Sequence, residues 1–198
     1  MASSLDRISR RRALLLGAGL SLACGCRRVQ PFPPADTPEG AWARVCVALA
    51  DDRPEDLFAY LEDEAQWAVY TLRKEHQAAL GAARKSYPAD ALKPLEAELA
   101  ADAASKDAPE VFVRIARARG WLTRLRKDLS GLARVERDGD RATLVTARGN
   151  RIPVKRRTVG IWGLTMFTAE LVVEAEKATR DRVRIEEAAK DYALVKGK

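Results

Sequence analysis

The sequence predicts an α+β domain: N-terminal helices, then a three- to four-stranded antiparallel meander, then a long C-terminal helix. Three observations predict it. From Thr37 to Leu129 apolar residues recur at helical spacing. Between Leu132 and Phe167 the period switches from about 3.6 to 2. Short glycine-bearing links join the period-2 segments, which makes neighbouring strands antiparallel.

The elements follow in order. Thr37-Pro38-Glu39 opens the first helix, with a capping hydroxyl, a proline at the first helical position and an acid at the positive end of the dipole. Trp42, Val45 and Leu49 share a face, with Cys46 beside it. Asp51-Asp52-Arg53-Pro54 breaks that helix and starts a short second one, anchored by Leu57, Phe58 and Leu61. Asp63, with Gln66 three residues on, reads as a capping-box variant that opens a longer helix to about Arg84. Trp67, Tyr70, Thr71, Lys74 and Ala78 lie along one side of it.

Ala89 to Lys106 is rich in Ala, Leu and Glu, and its few large apolar residues (Leu92, Leu95, Leu99) predict peripheral packing. Asp107-Ala108-Pro109-Glu110 repeats the cap-then-proline start; Val111, Phe112, Ile115 and Ala116 give the apolar face. Gly120 ends or kinks this helix, and Trp121 to Leu129 adds another turn or two. Strands are expected at Leu132–Arg137, Arg141–Ala147, Ile152–Arg156 and Val159–Phe167. Asp138-Gly139 and Gly149-Asn150 supply the positive φ that tight turns need. Leu144, Ile152, Val154, Trp162, Leu164 and Met166 should face the helices. Thr168 caps a last helix running to about Val195. Leu171, Val172, Ala175, Ala178, Ile185, Ala189 and Tyr192 make its stripe, and Glu176–Arg180 and Glu186–Lys190 are i,i+4 pairs.

The chain has 198 residues, 47% of them apolar and 32% charged, a globular composition. Of the formal charge of +7, +3 belongs to the first 26 residues. The remaining 172 residues carry a mild +4, which does not argue for nucleic acid. Two of the three cysteines lie within those first 26 residues, so Cys46 has no internal disulfide framework to join.

Ser9 to Cys26 (SRRRALLLGAGLSLACGC) has a different character. It gives a basic cluster (Arg10, Arg11, Arg12), an apolar run from Ala13 to Ala23, and then Cys24 and Cys26 among small residues. The run is shorter than the ~20 residues a bilayer span needs, and Gly17, Gly19 and Ser21 make it a poor core helix. The layout is that of an export signal. It resembles a bacterial lipoprotein signal, and Ser-Arg-Arg-x-x-Leu-Leu resembles a twin-arginine export motif. Cys24 follows Ser21 by three residues and Cys26 follows Ala23, so either cysteine can be the lipidated one; Gly25 directly precedes Cys26. The resemblance implies residues 1–26 as signal, a chain exported to the cell envelope, and a membrane as partner through a fatty-acyl anchor. Arg27 to Asp36 holds Pro31, Pro33 and Pro34 and reads as a stiff, extended tether. Residues 37–198 then form one α+β domain.

Thr37 to Trp42, Ala48 to Asp52 and Asp56 to Leu61 together resemble the opening of the nuclear transport factor two-like (cystatin-like) fold. Its members open with a helix, an acidic break and a second helix carrying aromatic and Leu residues. Members include enzymes, binding modules and scaffolds, so that likeness implies a fold and not an activity. Two features depart from the pattern: the extra helix over Ala89–Leu129 and the long C-terminal helix.

No grouping of catalytic residues is seen, and no cofactor or metal motif. His76, the single histidine, lacks an HExxH or Cys/His context. Glu62, Asp63 and Glu64 read as helix-start acids, and Cys46 as a buried inert thiol. Arg148, Arg151, Lys155, Arg156 and Arg157 place five positive charges around one hairpin, a candidate contact for anionic surfaces. Gly160-Ile-Trp-Gly163 is the most distinctive string. Trp162 there is either a core anchor or the floor of a pocket, and its glycines could admit another backbone. The expected role is a non-enzymatic binding or interaction module whose partner is an envelope protein or a small ligand. The alternatives are a small-molecule enzyme or carrier with a pocket between helices and sheet, and an anionic-surface contact through the basic hairpin.

Overall fold

A computed structural model of the chain describes residues 32–196. The segment expected to direct export, with Arg10, Arg11, Cys24 and Cys26, lies outside the described residues. Helices come first: α1 (Pro38–Ala50), a 3₁₀ segment (Pro54–Tyr60), α2 (Asp63–Ser86), α3 (Ala89–Ala104), α4 (Ala108–Ala118) and α5 (Trp121–Arg126). Four strands follow: β1 (Leu132–Asp138), β2 (Arg141–Thr146), β3 (Arg151–Arg156) and β4 (Trp162–Leu164). The last helix is α6 (Thr168–Lys196). The sheet order is β1-β2-β3-β4, all antiparallel, so the expected α+β meander is what forms.

Local chemistry starts the helices where expected. The Thr37 hydroxyl accepts from Gly40 N at 3.0 Å, and Asp107 Oδ1 accepts from Glu110 N at 3.0 Å. Glu110 in turn accepts from the backbone N–H of Lys106, the residue before the cap, at 2.8 Å. The turns at Gly139 and Gly149 have φ of +59° and +83°, a conformation glycine adopts without a Cβ penalty.

Three expectations are corrected. Asp63 does not cap α2; Glu62 precedes the helix without a side-chain cap, and the Asp63 carboxylate is taken by Arg157 and Thr158. Gln66 Nε2 instead donates to the Phe58 carbonyl at 2.6 Å. Met166 is partly exposed, and Phe167 is the neighbour that enters the core. Glu186 pairs with Arg182 at 2.6 Å instead of with Lys190, whereas Glu176 and Arg180 do pair, at 3.8 Å.

The main core lies between the inner face of the sheet and helices α1, α2, α4, α5 and α6. Leu144, Ile152, Val154 and Leu164 meet Val45, Leu57, Phe112 and Leu171 there. Trp121 stacks on Phe167 with centroids 4.5 Å apart. A second cluster of Leu80, Ala83, Leu99 and Ile185 sits under α3, which is the peripheral packing its composition implied.

The two longest helices, α2 and α6, lie along each other. Both present small side chains at the contact: Ala65, Ala68, Ala79 and Ala83 on α2, and Ala175, Ala178 and Ala189 on α6. They run parallel. Glu62 meets Thr168 at their starts, Glu75 meets Arg182 midway, and Tyr87 packs on Tyr192 further on, at 4.8 Å. The aromatic side of α2 faces away from this contact, so Trp67 is 70% exposed.

Candidate functional site

Helices α2, α3, α4 and α6 converge on a cleft of about 220 Å³. Its chemistry comes from three residues far apart in sequence. His76 projects from the middle of α2, one turn after buried Leu72. Asp102 sits in the last turn of α3, and Arg114 in the middle of α4. His76 Nδ1 lies 3.0 Å from Asp102 Oδ2, and Arg114 meets the other carboxylate oxygen. Asp102 is buried; its Oδ2 meets His76, while its Oδ1 is paired in charge with Arg114 but accepts no hydrogen bond.

Electrostatics set the state of the imidazole. Burial, then the positive charge of Arg114, holds His76 below its ordinary pKa; Glu98 and Asp181 pull the other way. The adjacent Asp102 carboxylate would by itself favour imidazolium, but Arg114 already shares that charge. At neutral pH the ring is therefore uncharged. With Nδ1–H donating to Asp102, the other ring nitrogen is left as an acceptor. At the rim, Arg119 is paired with Glu170 at 2.6 Å and with Glu174, and Lys177 faces Glu98 at 3.7 Å. Four carboxylates (Glu98, Asp102, Glu174 and Asp181) and three cations (Arg114, Arg119 and Lys177) line the cleft, and no Ser, Thr or Cys does. It offers an oriented base and hydrogen-bonding groups but no hydroxyl or thiol nucleophile.

The five hairpin cations do not form one free surface. The Arg151 guanidinium donates to Glu136, which also takes Arg134. Arg148 donates to the Lys127 carbonyl. Arg157 turns under the start of α2, where it donates to Asp63 at 2.7 Å, to the Ala59 carbonyl at 2.7 Å and to Gln66 Oε1 at 2.8 Å. Lys155 lies on the outer face of the sheet opposite Arg141, and Arg156 lies opposite Trp162. An open depression of about 560 Å³ covers that outer face; Glu62, Glu64, Glu136 and Asp138 line it together with Arg141 and Lys155. Its charge is mixed in sign.

Trp162 belongs to the core, and its indole N–H donates to the Asp36 carbonyl at 3.1 Å. The glycine beside it does admit another backbone: a Cβ on Gly163 would lie 2.5 Å from Glu62 N. Cys46 is half-buried, and burial followed by the nearby Asp128 charge pushes its thiol up to about 11. A thiol in that state is a poor nucleophile. Asp128 itself is buried. Burial raises its pKa, but hydrogen bonds from Ser130, Asn150 and Thr146 outweigh that and hold it low.

Sequence reading missed Asp102 and Arg114 as partners of His76. No local signal carries them, since they reach it from two other helices. The exposure of Trp67 had a signal: it shares a side of α2 with Lys74, while the opposite side is alanine-rich. Compared with protein-family models, curated proteins and solved structures, the chain finds no match.

Proposed function

We propose that the chain is an exported, lipid-anchored domain of the bacterial envelope that acts as a non-enzymatic binding or interaction module. The observation that carries this is the order of chemistry in Ser9–Cys26: arginines, an apolar run too short to span, then cysteines among small residues. Two features of the domain support the module reading over a pocket enzyme. The space between helices and sheet is filled by Leu144, Ile152, Val154, Trp121 and Phe167. The hairpin cations Arg151 and Arg157 are committed to Glu136 and Asp63, which weakens the case for an anionic contact there. The likeness of Thr37–Trp67 to the nuclear transport factor two-like opening belongs to the same proposal; its support is the sequence of helix, acidic break and second helical turn.

The test is metabolic labelling with a fatty-acid analogue. Label should enter the wild-type chain, partition with membranes, and vanish in the Cys24→Ser/Cys26→Ser double variant. Each single variant assigns the acylated residue. Label that persists in the double variant, or a mature protein beginning at Met1 in the cytosol, overturns the proposal.

A further inference from the structure

We infer that the free edge of β1 pairs antiparallel with β1 of a second copy of the chain, about a two-fold axis at Val135, so that the two sheets join into one. This goes beyond the module reading and does not depend on the anchor.

The backbone of that edge is the first argument. Thr146 N donates to the Asn150 carbonyl at 2.9 Å, which turns Thr146 toward β3. Peptide groups alternate in direction along a strand, so Ala142 and Leu144 also turn to β3, while Arg141, Thr143 and Val145 turn to β1. Their partners on β1 are Asp138, Glu136 and Arg134. The peptide groups of Val135 and Arg137 therefore point away from the sheet, and among the described residues no other hydrogen bond reaches them. An open row of donors and acceptors is a template for another strand. The opposite edge of the sheet is closed. Leu61 bridges Leu164 of β4, and Glu62 N donates to the Leu164 carbonyl at 3.1 Å.

Charge selects the partner and the register. Arg134 and Glu136 stand on one face of β1, with side chains 62% and 39% exposed. When Val135 lies opposite Val135 of the second copy, each Arg134 lies opposite the other copy's Glu136. Opposite charges directly across two strands stabilise the pairing, and like charges there oppose it. An axis one residue away sets Glu136 against Glu136 or Arg134 against Arg134. An axis at Arg137 sets Glu136 against Asp138. The segment Leu132–Asp138 is thus its own complement in the register centred on Val135.

Charges and bulges on an edge strand also serve to keep edges apart. A block of one sign repels a copy of itself in every register, whereas here the two signs flank an apolar centre. The irregularity in the ladder lies between Leu132 and Arg134, which leaves Arg134 to Asp138 regular. Within one chain Glu136 already accepts from Arg134 at 2.9 Å and from Arg151 at 3.2 Å. Its carboxylate is therefore held in place before pairing, and a second copy's Arg134 meets it with less side-chain freedom to lose.

The test is sedimentation equilibrium of the purified full chain in density-matched detergent. Wild type should associate reversibly into dimers. Arg134→Glu places acid against acid in the pair, and Glu136→Arg places base against base, so each variant alone should dimerise at least tenfold more weakly. An equal mixture of the two variants restores opposite charges across the axis and should recover the dimer, as should the double swap Arg134→Glu/Glu136→Arg. A monomeric wild type overturns the inference. So do single variants that dimerise like wild type, or a mixture that stays monomeric although circular dichroism shows both variants folded. Amide exchange of the unaltered chain decides the matter if a variant fails to fold. The Val135 N–H should exchange severalfold more slowly when the protein is concentrated than when it is dilute, while Glu136, already bonded to β2, changes little. Exchange at Val135 that ignores concentration overturns the pairing. These readings leave the anchor untouched, since fatty-acid labelling reports on that separately.

Discussion

Gly163 lies against the Glu62 backbone, and that contact launches both long helices. Glu62 N donates to the Leu164 carbonyl at 3.1 Å, and Leu61 and Leu164 form a parallel bridge. One chain leaves the bridge as α2, the other as α6 after Thr165–Phe167, and the two run on side by side. A methyl group at Gly163 would sit 2.5–2.6 Å from Glu62 N and the Leu61 carbonyl group, and that backbone cannot swing aside as a side chain can. Gly163→Ala should cost about 3 kcal/mol, at the upper end for overpacking. Gly81→Ala is the opposite case, since nothing lies within 4 Å of the added methyl and the site is mid-helix. It should stabilise by about 0.5–1 kcal/mol. Denaturant unfolding of both variants checks the pair; equal effects would refute the close-approach account.

Arg157 ties the hairpin to the start of α2. Its side chain is only 11% exposed and bridges three acceptors from Ala59, Asp63 and Gln66. Arg157→Ala leaves the Asp63 charge and the Gln66 amide without their main partner, at a cost of about 3 kcal/mol. Arg157→Lys should recover only part of this, because an ammonium cannot span the three positions a planar guanidinium reaches. Urea unfolding midpoints decide it; a Lys variant as stable as wild type would show that only the charge matters.

The fold was legible where local chemistry decides it. Thr37 and Asp107 cap their helices because a short polar side chain followed by proline leaves the backbone few alternatives. The strand register follows from alternation on either side of Gly139 and Gly149. What stayed hidden was decided by distant partners. Asp63 looks like a cap, yet Arg157, 94 positions away, claims it. Met166 and Phe167 are both apolar, and only the stacking of Phe167 on Trp121 selects which one is buried. His76 reads as a lone histidine until α3 and α4 bring Asp102 and Arg114 to it. The anchor we propose for Ser9–Cys26 rests on sequence alone, because an export address works through composition before any fold exists.

The two tryptophans Trp67 and Trp121 should separate cleanly in stability. Trp121 is buried against Phe112 and Phe167, whereas Trp67 is mostly solvent-exposed on α2. Trp121→Ala removes a large core side chain and should cost about 3–5 kcal/mol. Trp67→Ala removes an exposed one and should cost no more than about 0.5 kcal/mol. Thermal unfolding resolves the difference. A large loss at Trp67 would mean that its side of α2 is covered by something other than water.

His76 makes stability depend on pH in a window of its own. Its folded pKa lies below the ordinary imidazole value of 6.5, chiefly through burial and then through Arg114. Between the folded value and 6.5 the unfolded chain binds more protons than the native one, so stability rises with pH across that interval. The contribution is complete above 6.5 and is lost as pH falls toward the folded value. Asp63 and Asp128 act in the same direction but lower down. Each has a folded pKa below 3.8, so their contributions disappear only in stronger acid. Denaturant unfolding at several pH values should show wild type weakening as the pH drops below 6.5, while His76→Gln stays flat until the carboxylates titrate. Wild type gaining stability over that interval would mean that Asp102, and not burial, controls the ring, and that Arg114 does not share its charge.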